Sequence, residues 1–345
     1  MPSTLGALFI KLEMIWSEDM STLKDVAEIA GVSVSTVSYV MSGKKTVRPE
    51  TLKRIQDAIK QVDYCPNLLA SGLKTNLSKT IGVVMWDMQN NYSIEVLRVM
   101  EDMICKYGYC MIVCDSDQSP EKERKNLRRL LARNIDGLIL MGSGNNVLSS
   151  YRNAQVPIVC IDRVADEAFL TVQSDSIAGG QMGTEYLISK GHRKILFLGY
   201  DLDVDFSRKR LLGYQKAMEL AGLSDEIHYE ILPERSVKCA MDRVEKLLQD
   251  GFDYDAVFGC VDYFAIGAMN ALIRHGYQVP EQVAVLGFDG SDMGKLSIKE
   301  LTAVAQPKQA LGKAVVEYLM RMIRKEKIQE KCVLMEPYII ERETC

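Results

Sequence analysis

From residue 80 onward the chain is built on short, unbroken apolar runs. They are IGVVM at 81–85, CMIVC at 110–114, GLILM at 137–141, PIVCI at 157–161, ILFLG at 195–199, AVFGC at 256–260 and VAVLGF at 283–288. A strand that is apolar at every residue has no face to give to water, so both of its sides must be covered. Between the runs lie amphipathic stretches such as EKERKNLRRLLARN and MDRVEKLLQD, which carry the stripe a covering helix needs. Strands alternating with helices predict parallel sheets with helices on both faces. Seven strands are too many for one small sheet, and two similar α/β lobes with a cleft between them fit the length better.

At 345 residues the chain has room for two or three domains. An apolar fraction of 47% with 26% charged residues is ordinary for a folded, water-soluble protein. No apolar run is long enough to span a bilayer. The opening MPSTLGALFIKLEMIW has no basic residue ahead of its apolar patch and makes a poor secretory signal. Residues 1–20 are read as an extension, with Met14 or Met20 as alternative starts. The nine cysteines form no Cys-x-x-Cys pair, and Cys114, Cys160 and Cys260 fall inside apolar strands. They are expected to be reduced, buried thiols of a cytoplasmic protein, with no metal site.

The net charge of −4 hides an asymmetry. Residues 21–79 hold nine basic and five acidic side chains, which leaves −8 for the rest of the chain. A basic segment on an acidic body is the footprint of nucleic-acid binding by that segment alone. Its sequence predicts three short helices. Thr22-Leu23-Lys24-Asp25 has the form of a capping box, and Gly31 can end the helix that follows. Ser33 can cap a second helix, with Val37 and Val40 on its inner face. A third begins at Arg48-Pro49, with Leu52, Ile55, Ile59 and Val62 as its apolar stripe. Three helices of this size, the second one rich in hydroxyls, describe a helix-turn-helix head.

The stretch TLKDVAEIAGVSVSTVSYVMSG, with VRPETLKRIQDAIKQVDYCPNLLASGLKT after it, resembles the LacI–GalR family of bacterial transcription repressors. The likeness runs through nearly the whole chain after residue 20. It implies a helix-turn-helix head at 21–65, a hinge at 66–79 and an effector-binding body at 80–345. That body would have the periplasmic-binding-protein type I fold: two Rossmann-like lobes, about 80–175 with 306–335 and about 176–305 with 336–345. On the head, the resemblance and the residue types assign DNA contacts to Thr22, Leu23, Ser33, Val34, Ser35, Thr36, Ser38 and Tyr39. Val34 and Ser35 would read bases, with Thr36 and Ser38 on phosphates. Tyr39 stands where the family often has arginine, so weaker guanine discrimination is expected. In the hinge the resemblance assigns contacts to Asn67, Ala70, Leu73 and Lys74, with Leu73 as the wedge that unstacks a base step. Ser71 replaces a frequent arginine there, and Gly72 should weaken a hinge helix by about 1 kcal/mol relative to alanine.

In parallel sheets, ligands bind beyond the carboxyl ends of the strands. The polar residues just after the apolar runs are Asp87, Asn90 and Tyr92, then Asp162 and Arg163, then Asp262, then Asp289. Phe206 and Arg210 open the helix after the fifth run. Carboxylates accept from hydroxyls, arginine donates to paired oxygens and a ring covers an apolar face, so this set suits a polyhydroxylated ligand. The resemblance implies the same use for these positions. It also marks three departures: Asn91 for a loop proline, Ser93 for a frequent aromatic and Val261 for an asparagine.

No catalytic constellation emerges. GSGN at 142–145 completes no dinucleotide loop, no Walker loop is present, and no histidine sits with Ser or Cys in a triad. The expectation is a regulator without cofactors, not an enzyme. It would be a homodimer, with a tetramer left open, on near-palindromic operator DNA under a sugar-like effector. The dimer is expected to pair through the body, including the amphipathic stretches near 92–107 and 119–133. A catabolite-control-type regulator with a protein co-effector and a stand-alone sugar-binding protein are the alternatives.

Overall fold

The first helix, α1 (Leu23–Ala30), starts where it does for a local reason. The Thr22 hydroxyl accepts from the Asp25 amide at 3.4 Å, while the Asp25 carboxylate accepts from the Thr22 amide at 2.6 Å. That reciprocal pair satisfies two donors that a helix start would otherwise leave open. Gly31 ends α1 in the left-handed conformation, at φ 63°. In α2 (Val34–Met41), the Ser33 hydroxyl accepts from the Thr36 amide at 3.2 Å. Pro49 opens α3 (Pro49–Gln61). Val26, Ala27, Ala30, Val37, Ile55 and Ala58 form the buried core of these helices. The expected stripe of α3 needs one correction: Leu52 is 38% exposed. The core made by two eight-residue helices covers only the later turns of α3, where Ala58 replaces Leu52 on the inner line.

The computed structural model describes residues 21–41, 46–64, 77–142, 154–162 and 169–345, and its chain divides into units 1–76 and 77–345. The hinge positions Asn67, Ala70, Leu73 and Lys74 lie outside the described residues, as do the extension 1–20 and Arg163.

The second unit holds two six-stranded sheets. The first has the order β11-β5-β4-β3-β1-β2, all parallel, from β1 (Thr80–Met85), β2 (Cys110–Asp115), β3 (Gly137–Met141), β4 (Ile158–Ile161), β5 (Leu170–Ser174) and β11 (Cys332–Met335). The second has the order β12-β10-β9-β8-β6-β7, from β6 (Ile195–Tyr200), β7 (His228–Leu232), β8 (Ala256–Gly259), β9 (Ala284–Asp289), β10 (Thr302–Ala305) and β12 (Tyr338–Ile340). Only β12 runs antiparallel to its neighbour. On one face of the first sheet lie α4 (Asn91–Lys106) and α10 (Lys308–Ile323); α5 (Pro120–Leu131) covers the other. The second lobe carries α6 (Ser176–Ser189), α7 (Asp205–Leu220), α8 (Val237–Gly251) and α9 (Asp262–Arg274). The chain passes between lobes after β5, after β10 and after β11, so each lobe is built from separated segments.

All seven apolar runs are strands, but β5, β7, β10, β11 and β12 had not been expected. Each of these lies at or next to a sheet edge; β5, β7 and β10 carry polar residues, as in HYEIL, and β11 and β12 have only four and three residues. The cysteine expectation also needs correction. Cys160 and Cys260 are buried, but Cys105, Cys110 and Cys332 are exposed, the last two at the starts of the edge strands β2 and β11.

In the second lobe α6 and α7 pack backbone to backbone. A Cβ on Gly213 would lie 2.2 Å from the Ile177 carbonyl oxygen, and one on Gly180 would lie 2.2 Å from that of Arg210. Gly213→Ala should therefore destabilise the body by on the order of 2 kcal/mol, because backbone cannot step aside as a side chain can. Thermal melting checks this, and an unchanged melting temperature would mean that the helices separate freely.

Candidate functional site

The cleft lies beyond the carboxyl ends of the strands and encloses about 750 Å³, its open mouth included. Its second-lobe wall is built on Arg210, the sixth residue of α7 and 4% exposed. One guanidinium nitrogen donates to the Cys260 carbonyl at 2.6 Å and to Asp289 at 3.1 Å. The group lies 3.6 Å from the Phe288 ring centre and 4.8 Å from that of Phe206, so two aromatic faces hold it as well. Gln306 donates to the same Asp289 oxygen at 2.7 Å. Asp289 ends β9 at φ 108°, a backbone region that side chains rarely adopt. Such strain persists only where the surroundings over-determine it, here through the Arg210 and Gln306 bonds.

The first-lobe wall is centred on Asp162, also at positive φ, 47°, just beyond β4. One carboxylate oxygen accepts from the Tyr92 hydroxyl at 2.5 Å and the other from the Ser174 amide at 3.3 Å. Burial pushes the Asp162 carboxyl above the usual carboxylate range, despite the Tyr92 bond. Burial, and then the Asp162 charge, push the Tyr92 phenol well above its ordinary value. Asp289 is raised by burial too, with Arg210 opposing. Asn90 lines the cleft, but its side chain also caps α4 by accepting from the Tyr92 amide at 3.1 Å.

Asp87, Asn90, Tyr92, Asp162, Phe206, Arg210 and Asp289 all line the cleft. Asp262 does not, which corrects the expectation. It is the first residue of α9, and its carboxylate turns to the exit of β9, where one oxygen accepts from the Ser291 amide at 2.7 Å and hydroxyl at 2.6 Å. Burial and then the charge of Asp289 push it up to about 7. Val261 occupies the lining position beside it.

Lining residues that the sequence does not mark include Trp86, Gln173, Ser174, Arg235 and Gln306. Apart from Trp86, each lies at the carboxyl end of β5, β7 or β10, strands too polar or too short to see in advance. Arg235 matters most. It reaches Asp87 of the other lobe at 2.5 Å, with side chains 14% and 13% exposed. Asp87 also accepts from the Gln89 amide at 2.8 Å and from Gln118 at 3.3 Å, so its oxygens are largely engaged within the protein. Its geometry positions Arg235 and does not leave a bare carboxylate for a ligand. Tyr263 adds a second bridge, donating to the Gln89 carbonyl at 2.7 Å.

On the head, Val34 is 42% and Tyr39 49% exposed. Ser35 and Thr36 have their hydroxyls 2.9 and 2.7 Å from that of Ser33, so the start of α2 presents a joined cluster of hydroxyls. Ser38 is half-buried on the same helix. The Thr22 hydroxyl is engaged by Asp25, and Leu23 packs against the core.

Arg235→Gln and Asp87→Asn should each lower the melting temperature. The double variant should lose less than the two losses added, with a coupling of about 0.5–3 kcal/mol. Strict additivity in thermal melts would show that the pair does not join the lobes.

Residues 22–67 match the family described as bacterial regulatory proteins, lacI family, and residues 184–345 match the periplasmic binding protein-like domain. The ribose operon repressor of Escherichia coli (strain K12) is 33% identical over 327 residues, covering 94% of this chain and 99% of its own. A lac repressor dimer bound to operator and the anti-inducer ONPF has the same fold, with a TM-score of 0.80 at 24% identity, covering 94% of this chain and 98% of that one. A periplasmic binding protein/LacI transcriptional regulator from Alkaliphilus metalliredigens QYMF, complexed with D-xylulofuranose, has a TM-score of 0.71 at 29% identity, over 77% of this chain and 98% of its own. A helix-turn-helix head joined to a two-lobed, periplasmic-binding-protein-like body thus places the chain in the lacI family of bacterial regulatory proteins, as a DNA-binding transcription regulator.

Proposed function

We propose that the chain represses a carbohydrate-utilisation operon, and that the effector between its lobes is a small neutral sugar of pentose size. The observation that carries this reading is charge balance in the cleft. Arg210 is neutralised by Asp289 and Arg235 by Asp87, so an anionic ligand would have to displace a carboxylate from its arginine. Hydroxyls, in contrast, can add to these pairs, donating to Asp162 and Asp289 and accepting from Arg210 or Gln306. Phe206 and Trp86 supply rings for the apolar face of a sugar. The operon named for the E. coli relative and the sugar held by the Alkaliphilus protein point the same way.

The proposed effector contacts are Asn90, Asp162, Phe206, Arg210 and Asp289, together with Arg163 as the family resemblance implies, and Tyr92 and Asp87 as positioning residues. On DNA, Val34, Ser35 and Tyr39 face bases, Ser33, Thr36 and Ser38 face phosphates, and Asn67, Ala70, Leu73 and Lys74 act in the hinge. The working unit is a homodimer on a near-palindromic operator in the bacterial cytoplasm, where its DNA is, and it carries out regulation and not catalysis.

Calorimetry with D-ribose, D-xylulose, ribose 5-phosphate, cellobiose and guanine tests the effector assignment. The pentoses should bind and the phosphate should not; binding of only the phosphate or the purine would overturn it. Hydroxyls donating to Asp162 and Asp289 favour the ionised carboxylates, so sugar binding should release protons. Because both groups start above the usual carboxylate range, affinity should fall as pH drops through the raised pKa values, at a higher pH than for ordinary aspartates. A flat affinity between neutral pH and about 4 would remove these carboxylates from the contact set.

Selection of preferred DNA from a random pool tests the head. On the selected site, Tyr39→Ala should bind about tenfold more weakly, roughly 1.4 kcal/mol. Wild-type affinity in both Tyr39→Ala and Tyr39→Phe would make Tyr39 scaffold only.

A further inference from the structure

The basic head explains only part of the positive charge. Helix α5 and the residues after it expose Lys122, Arg124, Lys125, Arg128, Arg129 and Arg133, while the rest of the chain outside 21–79 is strongly acidic. Of the two acidic residues in α5, Glu121 is exposed and Glu123 is buried. Leu127 and Leu130 face the sheet, so the cations are what the helix turns outward. Cations near a helix C-terminus offset its dipole, but that effect is confined to the last turn and does not require six of them.

The direction of α5 locates the cluster. The helix begins after β2 and returns to the start of β3, so its last turn lies at the amino ends of the strands, opposite the cleft. The chain enters the body at that same end. Asp136, between α5 and β3, accepts from the Ser78 and Lys79 amides at 2.9 and 2.7 Å and fixes the entry. Arg128 and Arg129 stand in that last turn and Arg133 just after it, at the end of the lobe where the chain enters. Helix α10 ends there too, with exposed Arg324, Lys325 and Lys327. Of the acids at this end, Asp136 is engaged by the two amides, Glu326 by Arg321 and Arg324, and Glu330 by Tyr318, while Glu101 and Asp102 are exposed near the end of α4, on the face of the sheet away from α5.

We infer that this chain-entry end of the first lobe is a second, sequence-independent contact for the DNA phosphate backbone. A second copy of the chain is a poor occupant for the outer face of α5, because a two-fold axis would set these cations against themselves. The notion that the stretch 119–133 forms the dimer seam is therefore disfavoured. Duplex DNA carries closely spaced negative charge, which is what such a face requires.

The test uses the full chain and a labelled duplex of arbitrary sequence, about 40 bp long, followed by fluorescence anisotropy from about 50 to about 200 mM KCl. The variant Arg128→Gln/Arg129→Gln/Arg133→Gln should bind about tenfold more weakly near the middle of that range, with a salt slope shallower by about one to two. Lys122→Gln/Lys125→Gln, at the cleft end of the same helix, should follow wild type. All of these side chains are exposed, and matching melting temperatures check that both variants are folded. Wild-type binding by the triple variant would overturn the inference, and so would equal weakening in both variants, which would reflect net charge alone. If the triple variant keeps DNA but loses binding to poly-L-glutamate, the face serves an acidic protein and the DNA assignment is wrong. Wild-type protein that binds no duplex would instead overturn the reading of the head.

Discussion

The cleft depends on one buried cation. Arg210 is held because α6 and α7 touch through Gly180 and Gly213, which sets its backbone against the α6 helix. Its guanidinium then organises the Cys260 carbonyl, Asp289 and, through Asp289, Gln306. A pair buried this deeply adds little net stability, since desolvation cancels most of the attraction. Losing one partner, however, leaves an uncompensated charge and costs about 3–5 kcal/mol. The pair is therefore better understood as a fixed polar platform whose position is enforced by the cost of breaking it. The unusual backbone of Asp289 is consistent with this, because only strong local bonds would hold a side chain at φ 108°.

Much of this architecture was legible because burial on both faces leaves a plain mark. The central strands β1, β3, β4, β6, β8 and β9 are continuous apolar runs and could be read directly. The residues immediately after them, Asp87, Asp162 and Asp289, follow from the rule that sites form at strand ends. What escaped was what the edges and the returning segments contribute. Strand β7 is mostly solvated and β10 is a four-residue segment with a threonine, so neither reads as an apolar run, and Arg235 and Gln306 beyond them have no strand to be attached to. Asp262 was misjudged for a different reason. Standing at a strand end is not enough when the residue also opens a helix, whose direction decides which way the side chain turns.

The same distinction applies at the head. The hydroxyls at the start of α2 were anticipated as readers of DNA, yet Ser33, Ser35 and Thr36 also hold one another. A mutually bonded cluster is rigid, and a rigid donor–acceptor pattern discriminates better than separate rotors do. Such a helix carries no charge of its own, so its specificity and the strength of DNA attachment arise in different places. Attachment falls to cations elsewhere, whose contribution is set by salt and not by sequence.

Regulation then turns on the contacts that already join the lobes. Arg235 meets Asp87, Tyr263 meets the Gln89 carbonyl, and Glu95 of α4, which is itself paired with Lys308 of α10 at 2.6 Å, accepts from the Asp292 amide at 2.8 Å. Lys308 also donates to the Gly290 carbonyl, so a single ammonium ties the exit of β9 to the first lobe. An effector moves such an equilibrium only by the difference in its affinity for the two arrangements. Each bridge made by the protein itself lowers what the sugar must supply to keep the lobes together. Arg235 and Asp87 line the cleft, and Tyr263 binds the loop beside it, so a ligand there can strengthen or compete with these bridges directly. The Glu95–Asp292 and Lys308–Gly290 contacts are not among the cleft-lining residues, and a ligand can affect them only by moving one lobe against the other. The two kinds of bridge therefore give the effector a local lever at the cleft and a remote one at the lobe crossing, and how they divide the free energy sets how far binding shifts the body.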